Sequence, residues 1–293
     1  MKVTIDTNEL YEEARADIAR VTSESNVLRF LGEDESEEVR KAVARNFNTP
    51  VEVLKKLAED ESEDVRCSVV TCINTPTEVL EKLAQDESEN VRRYIAYNPD
   101  THTDLVIKVV KGLSEDDRLF LAANGSTARE VLEELAQDES ALVRSYVAYN
   151  LRTTEVLVKF ADDTSDMVRS NVASIYNTPI EVLEKLAYDE SEKVRNAVVY
   201  NPKTPIEVLK KLAYDESESV RYSVAYNSKI PADLVIKIVK GLSEEYRQHV
   251  AINLDTSKEV LEQLSYDESE NVRRCVASNY NTPVEVVKRL TQD

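Results

Sequence analysis

Apolar residues recur along this chain at the spacing of short amphipathic helices, in a unit that is repeated many times. In residues 49–74, Leu54 and Leu57 fall on one face of a helical stretch, and Val65 and Val69 fall on one face of a second stretch. This spacing predicts two helices in each unit, each with one buried stripe. Helices this short are unstable alone, so we expect them to be held by stacking on neighbouring units.

Polar residues mark where each helix should begin. Before the first helix, Thr49 is a predicted N-cap, Pro50 suits the first helical position, and Glu52 can bond back to the cap amide. Before the second helix, a serine stands four residues ahead of an arginine and is usually followed by an acid, which predicts an N-cap and a favourable charge. These serines are Ser36, Ser62, Ser88, Ser114, Ser140, Ser165, Ser191, Ser217, Ser243 and Ser269.

The arginine itself returns every 26 residues, with one interval of 25 between Arg144 and Arg169. A fixed period of this length is typical of a solenoid, in which each unit buries its apolar face only against its neighbours. We therefore predict an all-α solenoid of about ten two-helix repeats. The arginines are Arg40, Arg66, Arg92, Arg118, Arg144, Arg169, Arg195, Arg221, Arg247 and Arg273.

An aspartate six residues before and an asparagine six residues after accompany most of these arginines. We expect each arginine to bridge aspartates or carbonyls of its own and the next unit; a row that binds ions is the alternative. The asparagines should cap helix ends and bond turn backbone, the alternative being to bind ligand amides. The aspartates are Asp34, Asp60, Asp86, Asp138, Asp163, Asp189, Asp215 and Asp267. The asparagines are Asn46, Asn98, Asn124, Asn150, Asn201, Asn227, Asn253 and Asn279.

The chain also has a second period that is longer than the 26-residue repeat. Residues 104–118 are echoed by residues 233–247, an offset of 129 that indicates duplication of a five-unit block. In both copies a glycine stands where most units have the aspartate six residues before the arginine, which we call the ladder aspartate. Another residue replaces a core valine. These residues are Gly112, Gly241, Asp117 and Tyr246. We call these two altered units the stations. We interpret them as local repacking, with a bend or a recognition site as the alternative.

The repeats are predicted to form a single solenoid domain over residues 1–293. Residues 1–23 do not fit the repeat and are predicted to be an N-terminal capping helix that covers the first apolar face. Its apolar side is formed by Leu10, Ala14, Ile18 and Val21. Tandem repeats follow over residues 24–293.

The motif VRxxVAxNxxTPxEVLxxLAxDES resembles the leucine-rich repeat variant family over about residues 24–293. It is seen cleanly at Val194, Arg195, Asn201, Thr204, Pro205, Glu207, Leu212 and Ala213. The resemblance implies a right-handed superhelix of alternating α and short helices. The spacing of Asp60 and Arg66 is more weakly similar to the ladder of HEAT repeats. Some family members carry a cysteine-rich iron–sulfur module, but residues 1–66 contain no cysteine, so the resemblance implies no cofactor here.

The composition of the chain limits which kinds of partner and which cellular location we expect. A net charge of −19 and a pI near 4.7 repel nucleic acids and anionic membranes, and they favour a basic partner surface or serve solubility. Three scattered cysteines, Cys67, Cys72 and Cys275, form no disulfide framework, and no stretch approaches the ~18 apolar residues of a membrane span. The sequence starts without an apolar leader, and a cytoplasmic location is expected.

Aromatic residues give the functional signal. Many of the 14 tyrosines occupy two slots, two and five residues after the arginine, which share one helix face. Tyrosine offers a rigid apolar ring with a polar tip and is typical of protein-binding surfaces. The predicted binding residues are Tyr94, Tyr97, Phe120, Tyr146, Tyr149, Tyr200 and Tyr226. Packing between adjacent second helices is the alternative role for these rings.

We therefore predict a noncatalytic scaffold or adaptor that binds a protein or an extended peptide. His102 and His249 are the only histidines and lie at different positions in their units, and no catalytic set, metal-ligand cluster or phosphate loop can be assembled. The rivals are a HEAT-like nucleic-acid enzyme of the DNA glycosylase type, a pigment or cofactor lyase or carrier, and a structural spacer.

Overall fold

A computed structural model describes residues 11–292, in which the secondary structure consists of helices joined by turns, with no strand. The helices are α1 Glu12–Val21, α2 Ser25–Leu31, α3 Glu37–Arg45, α4 Val51–Leu57, α5 Glu63–Val70, α6 Thr77–Leu83, α7 Glu89–Tyr97, α8 Thr103–Val110, α9 Glu115–Ala123, α10 Arg129–Leu135, α11 Ala141–Leu151, α12 Thr154–Phe160, α13 Asp166–Ser174, α14 Ile180–Leu186, α15 Glu192–Tyr200, α16 Ile206–Leu212, α17 Glu218–Tyr226, α18 Ala232–Val239, α19 Glu244–Ile252, α20 Lys258–Leu264, α21 Glu270–Ser278 and α22 Val284–Leu290. The even-numbered helices are the predicted first helices, and the odd-numbered ones are the second helices. The all-helical repeat fold is thus confirmed; its handedness and repeat number stay predictions.

The helices form two compact units, divided between Val143 and Arg144, where the sequence predicts one domain. Within each unit second helices lie beside one another, for example α3 on α5 and α15 on α17. The predicted apolar stripes form the core: Leu54 and Leu57 of α4 and Val65 of α5 are almost fully buried. Because each stripe is covered by the next pair, stacking holds helices too short to be stable alone.

The predicted start of the first helix is wrong in one detail. Pro50, not Thr49, occupies the N-cap position of α4, and the Thr49 hydroxyl instead donates to the Val43 carbonyl at 2.6 Å. The threonine therefore closes the end of the preceding second helix. Thr153, which no proline follows, does cap its helix by accepting the Val156 N–H at 3.4 Å.

The serine caps are confirmed only in part. The side chain accepts a helix N–H at the starts of α3, α5, α7, α9 and α21, but not at those of α13, α15, α17 and α19. At two of the latter the hydroxyl turns to the first acid of the previous second helix, Ser191 to Asp166 at 3.1 Å and Ser217 to Glu192 at 2.6 Å. Serine and acid thus link consecutive repeats.

The arginine ladder is confirmed as a structural network. Arg195 donates from Nε and Nη2 to both carboxylate oxygens of Asp215, at 2.7 and 2.9 Å, and from Nη1 to the Asp189 carbonyl at 2.7 Å. The same carboxylate contact joins Arg40–Asp60, Arg66–Asp86, Arg118–Asp138, Arg144–Asp163, Arg169–Asp189 and Arg247–Asp267. Burial alone would raise the pKa of Asp189, but the hydrogen bonds from Arg169 and the Ser191 N–H outweigh it and lower that pKa.

Helix α1 already makes repeat contacts, although the predicted repeats begin at residue 24. Arg15 pairs with Asp34 at 2.8 Å, and Nδ2 of Asn46 donates to the Ala19 carbonyl at 2.7 Å, as Asn201 does to Ala173 further along. The predicted apolar side is wrong: the buried residues are Ala16 and Ala19, whereas Val21 is exposed. Leu10 lies outside the described residues.

The two stations interrupt the ladder in the same way. Arg92 donates to the Gly112 carbonyl at 3.2 Å and Arg221 to the Gly241 carbonyl at 3.3 Å, where other repeats present a carboxylate. The first helices of these stations, α8 and α18, are eight residues long, one more than their neighbours. They pack directly on α10 and α20 and on the second helices before them, α7 and α17, whereas α17 and α19 contact each other over fewer residues than α15 and α17 do.

Candidate binding surface

The seven predicted aromatic residues all lie on second helices. Tyr94, Tyr97 and Phe120 belong to the first unit, and Tyr146, Tyr149, Tyr200 and Tyr226 belong to the second. Tyr97 and Tyr226 are half-buried, and the other five are 40–66 % exposed.

Tyrosines in the slot five residues after the arginine form hydrogen bonds to the next repeat, and the ring of Tyr200 in this slot is also exposed. The hydroxyl of Tyr97 donates to Asp117 at 2.7 Å, that of Tyr226 donates to the His249 carbonyl at 2.6 Å, and that of Tyr200 lies 3.1 Å from the Ser223 hydroxyl. Each contact reaches the next second helix. The polar tip therefore packs between repeats, while the ring of Tyr200 stays two-thirds exposed.

The aromatic row is not continuous. In the second unit, α13 supplies Asn171 and Ser174 at the two slots, so no ring lies between those of α11 and α15. On α11, the Arg152 guanidinium lies 4.0 Å from the Tyr149 ring centroid. Arg152 has φ 47°, a left-handed conformation that follows from the one-residue deletion in this turn.

At the station of the first unit, the side chains form a polar cluster, which we call the first quartet: Arg93, Tyr97, Asp117 and Phe120. The Tyr97 and Phe120 ring centroids are 4.6 Å apart, and Nη1 of Arg93 lies 4.0 Å from the Asp117 carboxylate. Asp117 is only 9 % exposed, and the Ser114 hydroxyl also donates to it at 3.0 Å. Burial and the neighbouring Asp117 carboxylate raise the pKa of Tyr97, so its hydroxyl stays a proton donor.

At the station of the second unit, four rings form the second quartet: Tyr222, Tyr226, Tyr246 and His249. The Tyr222 centroid lies 4.4 Å from that of Tyr246, 4.7 Å from that of Tyr226 and 6.1 Å from that of His249. All four side chains are half-buried. Burial and the Tyr222 hydroxyl raise the pKa of Tyr226.

Sequence reasoning missed three of these four rings as site residues. It identified Tyr226 by its slot, and it identified Tyr246 only as a replaced core valine. The signal was present in the 129-residue duplication, because aligning the two stations places Tyr222 on Arg93 and His249 on Phe120.

A second aromatic row lies in the turns after the first helices of the second unit, and the sequence analysis missed this row too. Tyr188, Tyr214 and Tyr266 each stand directly before a ladder aspartate and are exposed. Lys211 lies 5.7 Å from the Tyr188 ring centroid and Arg289 lies 3.9 Å from that of Tyr266. In the first unit this position forms ion pairs instead, such as Glu33 with Lys56.

Other chemistry is sparse within residues 11–292. That part of the chain holds no group of three or more histidine, cysteine or acidic side chains placed to bind a metal ion. Cys67 and Cys72 are buried, and burial raises the pKa of the Cys67 thiol to about 11. None of the described helices combines the length and apolar character needed to cross a membrane.

The fold and these contacts define an all-helical protein built from stacked two-helix repeats. The sequence pattern of the leucine-rich repeat variant family matches residues 37–62, which confirms the predicted resemblance at that repeat. No curated protein matches the chain.

Three solved structures are similar in arrangement. One, described as a leucine-rich repeat variant with a novel repetitive structural motif, is 22 % identical, aligns over 91 % of this chain and 82 % of its own, and has a TM-score of 0.40. A computationally designed armadillo repeat protein for modular peptide recognition is 17 % identical over 86 % and 97 %, with a TM-score of 0.14. A designed armadillo repeat protein in complex with the peptide (KR)4 is 16 % identical over 90 % and 97 %, with a TM-score of 0.15. At these scores the description of the fold rests on the chain's own contacts.

Proposed function

We propose that this protein is a noncatalytic scaffold or adaptor that binds a protein or an extended peptide on the aromatic face of its second helices. The observation that carries the proposal is the state of Tyr200. A hydroxyl held by the next repeat fixes the ring, while most of the ring faces solvent. Rings fixed before binding lose little conformational entropy when a partner covers them.

The charge of the chain supports a partner with a basic surface. The net charge of −19 attracts a basic protein and repels nucleic acid and anionic membranes. Three free thiols, two of them buried, fit a reducing compartment such as the cytoplasm. The rival nucleic-acid enzyme would need a basic groove instead.

The test is affinity purification from native lysate with quantitative mass spectrometry, using the full chain and two matched variants. The binding-face variant carries Tyr94→Ser, Tyr146→Ser and Tyr200→Ser. It leaves Tyr97 in place because that hydroxyl bonds a buried carboxylate.

The control variant carries Tyr188→Ser, Tyr214→Ser and Tyr266→Ser, which removes the same number of exposed rings from the turns after the first helices. We expect specific partners to be lost from the binding-face variant and kept by the control. Equal capture by the wild type and the binding-face variant would reject this surface.

A further inference from the structure

The two quartets occupy the same four slots of the repeat, 129 residues apart. The equivalent pairs are Arg93 and Tyr222, Tyr97 and Tyr226, Asp117 and Tyr246, and Phe120 and His249. Both members of the first quartet's charged pair are replaced by tyrosine in the second. The replacement is thus balanced in charge, and it leaves the second quartet without a cation of its own.

The second quartet lies between α17, which carries Tyr222 and Tyr226, and α19, which carries Tyr246 and His249. Tyr226 is held by the His249 carbonyl, and the Tyr222 ring is held between Tyr226 and Tyr246. All four rings are half-buried, so part of each stays open to solvent. Aromatic faces carry negative potential, so a fixed set of rings attracts a cation laid across it.

Carboxylates lie one helical turn from these rings. Glu218 precedes Tyr222 by one helical turn on α17, and Glu245 precedes His249 by one turn on α19, so acid and ring share a helix face in both cases. Glu218 also accepts the Ser243 N–H, which fixes it between the two helices, and Glu245 is exposed. A cation on the rings would therefore also meet negative charge.

We propose that the second quartet is the docking site for an arginine side chain of an extended basic segment, an assignment that rests on the proposed binding function. Arginine fits better than lysine because its planar, weakly hydrated guanidinium stacks on aromatic faces and can bond a carboxylate at its edge. In the first unit the chain's own Arg93 occupies the slot of Tyr222 and lies beside Asp117. The two units therefore differ in what they can accept.

The probe is a short fluorescent peptide of alternating arginine and serine, with a lysine–serine peptide of equal length as its match, titrated into the full chain by anisotropy. The test variant is Tyr222→Arg with Tyr246→Asp, which recreates the charged pair of the first quartet. Tyr222→Leu serves as a second variant that removes a π face and keeps an apolar side chain, and Tyr188→Ser with Tyr214→Ser is the surface control. Circular dichroism checks that each variant is folded.

We expect the arginine peptide to bind about tenfold more tightly than the lysine peptide, the size of one cation–π contact. Both quartet variants should lower arginine-peptide affinity by about tenfold, and the surface control should not. If the two peptides bind with equal affinity, and salt abolishes the binding of both, the binding reflects general attraction to an acidic chain. That result would overturn the assignment.

Three further results would also overturn it. Arginine-peptide binding that no quartet variant changes would place the peptide elsewhere, and the broader binding function would survive. Light scattering that shows a dimer broken by the quartet variants would make a second copy of the chain the occupant. Absence of any peptide binding removes the quartet as an arginine site, while partner capture through Tyr94, Tyr146 and Tyr200 is judged by its own experiment.

Discussion

The two quartets occupy the same four positions of the repeat, but their side chains differ. In the first unit the space between the two second helices of the station is filled by a buried carboxylate, a guanidinium, a tyrosine and a phenylalanine. In the second unit it is filled by three tyrosines and a histidine. Both units keep the same interruption of the ladder at Gly112 and Gly241. The backbone arrangement is therefore conserved between the copies, while the side chains that fill it are free to change as a set.

This comparison implies that the charged pair and the aromatic pair are each coupled. Asp117 is tolerated in a core position because Tyr97, Ser114 and Arg93 surround it with donors. In the second quartet Tyr226 and Ser243 occupy the slots of Tyr97 and Ser114, but Tyr222 replaces Arg93, so a carboxylate at position 246 would lack its cation. Replacing one residue of a pair by its counterpart from the other quartet should lower stability, and replacing both residues should restore it.

The largest effect is expected for Tyr246→Asp alone. It places a carboxylate among the rings of Tyr222 and His249 without a cation, which should destabilise the protein by about 3 kcal/mol. Adding Tyr222→Arg supplies the missing partner and should recover at least half of the loss. Urea unfolding of the single and double variants measures both quantities. A double variant no more stable than Tyr246→Asp would show that the quartets are not coupled sets.

A smaller effect separates the two tyrosines of the equivalent slot. Tyr97→Phe removes a donor from the buried Asp117 carboxylate and should cost about 2 kcal/mol. Tyr226→Phe removes a donor from the His249 carbonyl, which keeps the Asn253 N–H at 3.2 Å, and should cost about 1 kcal/mol or less. The difference between the two midpoints of denaturant unfolding checks this order. Equal losses would mean that the acceptor's charge does not matter here.

The smallest effect tests the interruption that both stations share. The Gly112 backbone has no positive φ, and an added Cβ would meet the Val109 carbonyl at 3.6 Å and Nε of Arg92 at 3.8 Å, which are ordinary contacts. Gly112→Asp should therefore complete the ladder with Arg92 and stabilise the first unit by about 1 kcal/mol, part of it from reduced freedom of the unfolded chain. Gly112→Ala is the control for that part. Identical thermal midpoints for the two variants would show that no ion pair forms.

Much of the repeat was predictable because its signals are local. The apolar stripes, the arginine and its aspartate recur often enough to reveal which residues face the core, and Arg195 with Asp215 behaves as expected. The threonine cap was wrong because the sequence motif fits two hydrogen bonds equally well. Thr49 bonds the Val43 carbonyl at the end of the preceding helix, and only the packed turn makes that acceptor available.

The candidate surface was predictable only in part. Slot spacing identified rings that share a helix face, and it correctly placed Tyr94 and Tyr200 on exposed surface. It could not reveal that Tyr222, Tyr246 and His249 meet, because these residues occupy different slots on two helices. Their contact depends on how α17 packs against α19.

The sequence by itself determined that this chain is a helical repeat, which residues form its core, and where the ladder and its two interruptions fall. Those features are periodic, and periodicity follows from covalent spacing along a helix. Only the tertiary structure decided that the chain forms two compact units, that Arg92 and Arg221 turn to backbone carbonyls, and that one station is polar and the other aromatic. These outcomes depend on distances between helices far apart in sequence, which are set by the volume and hydrogen bonds of the side chains packed between them.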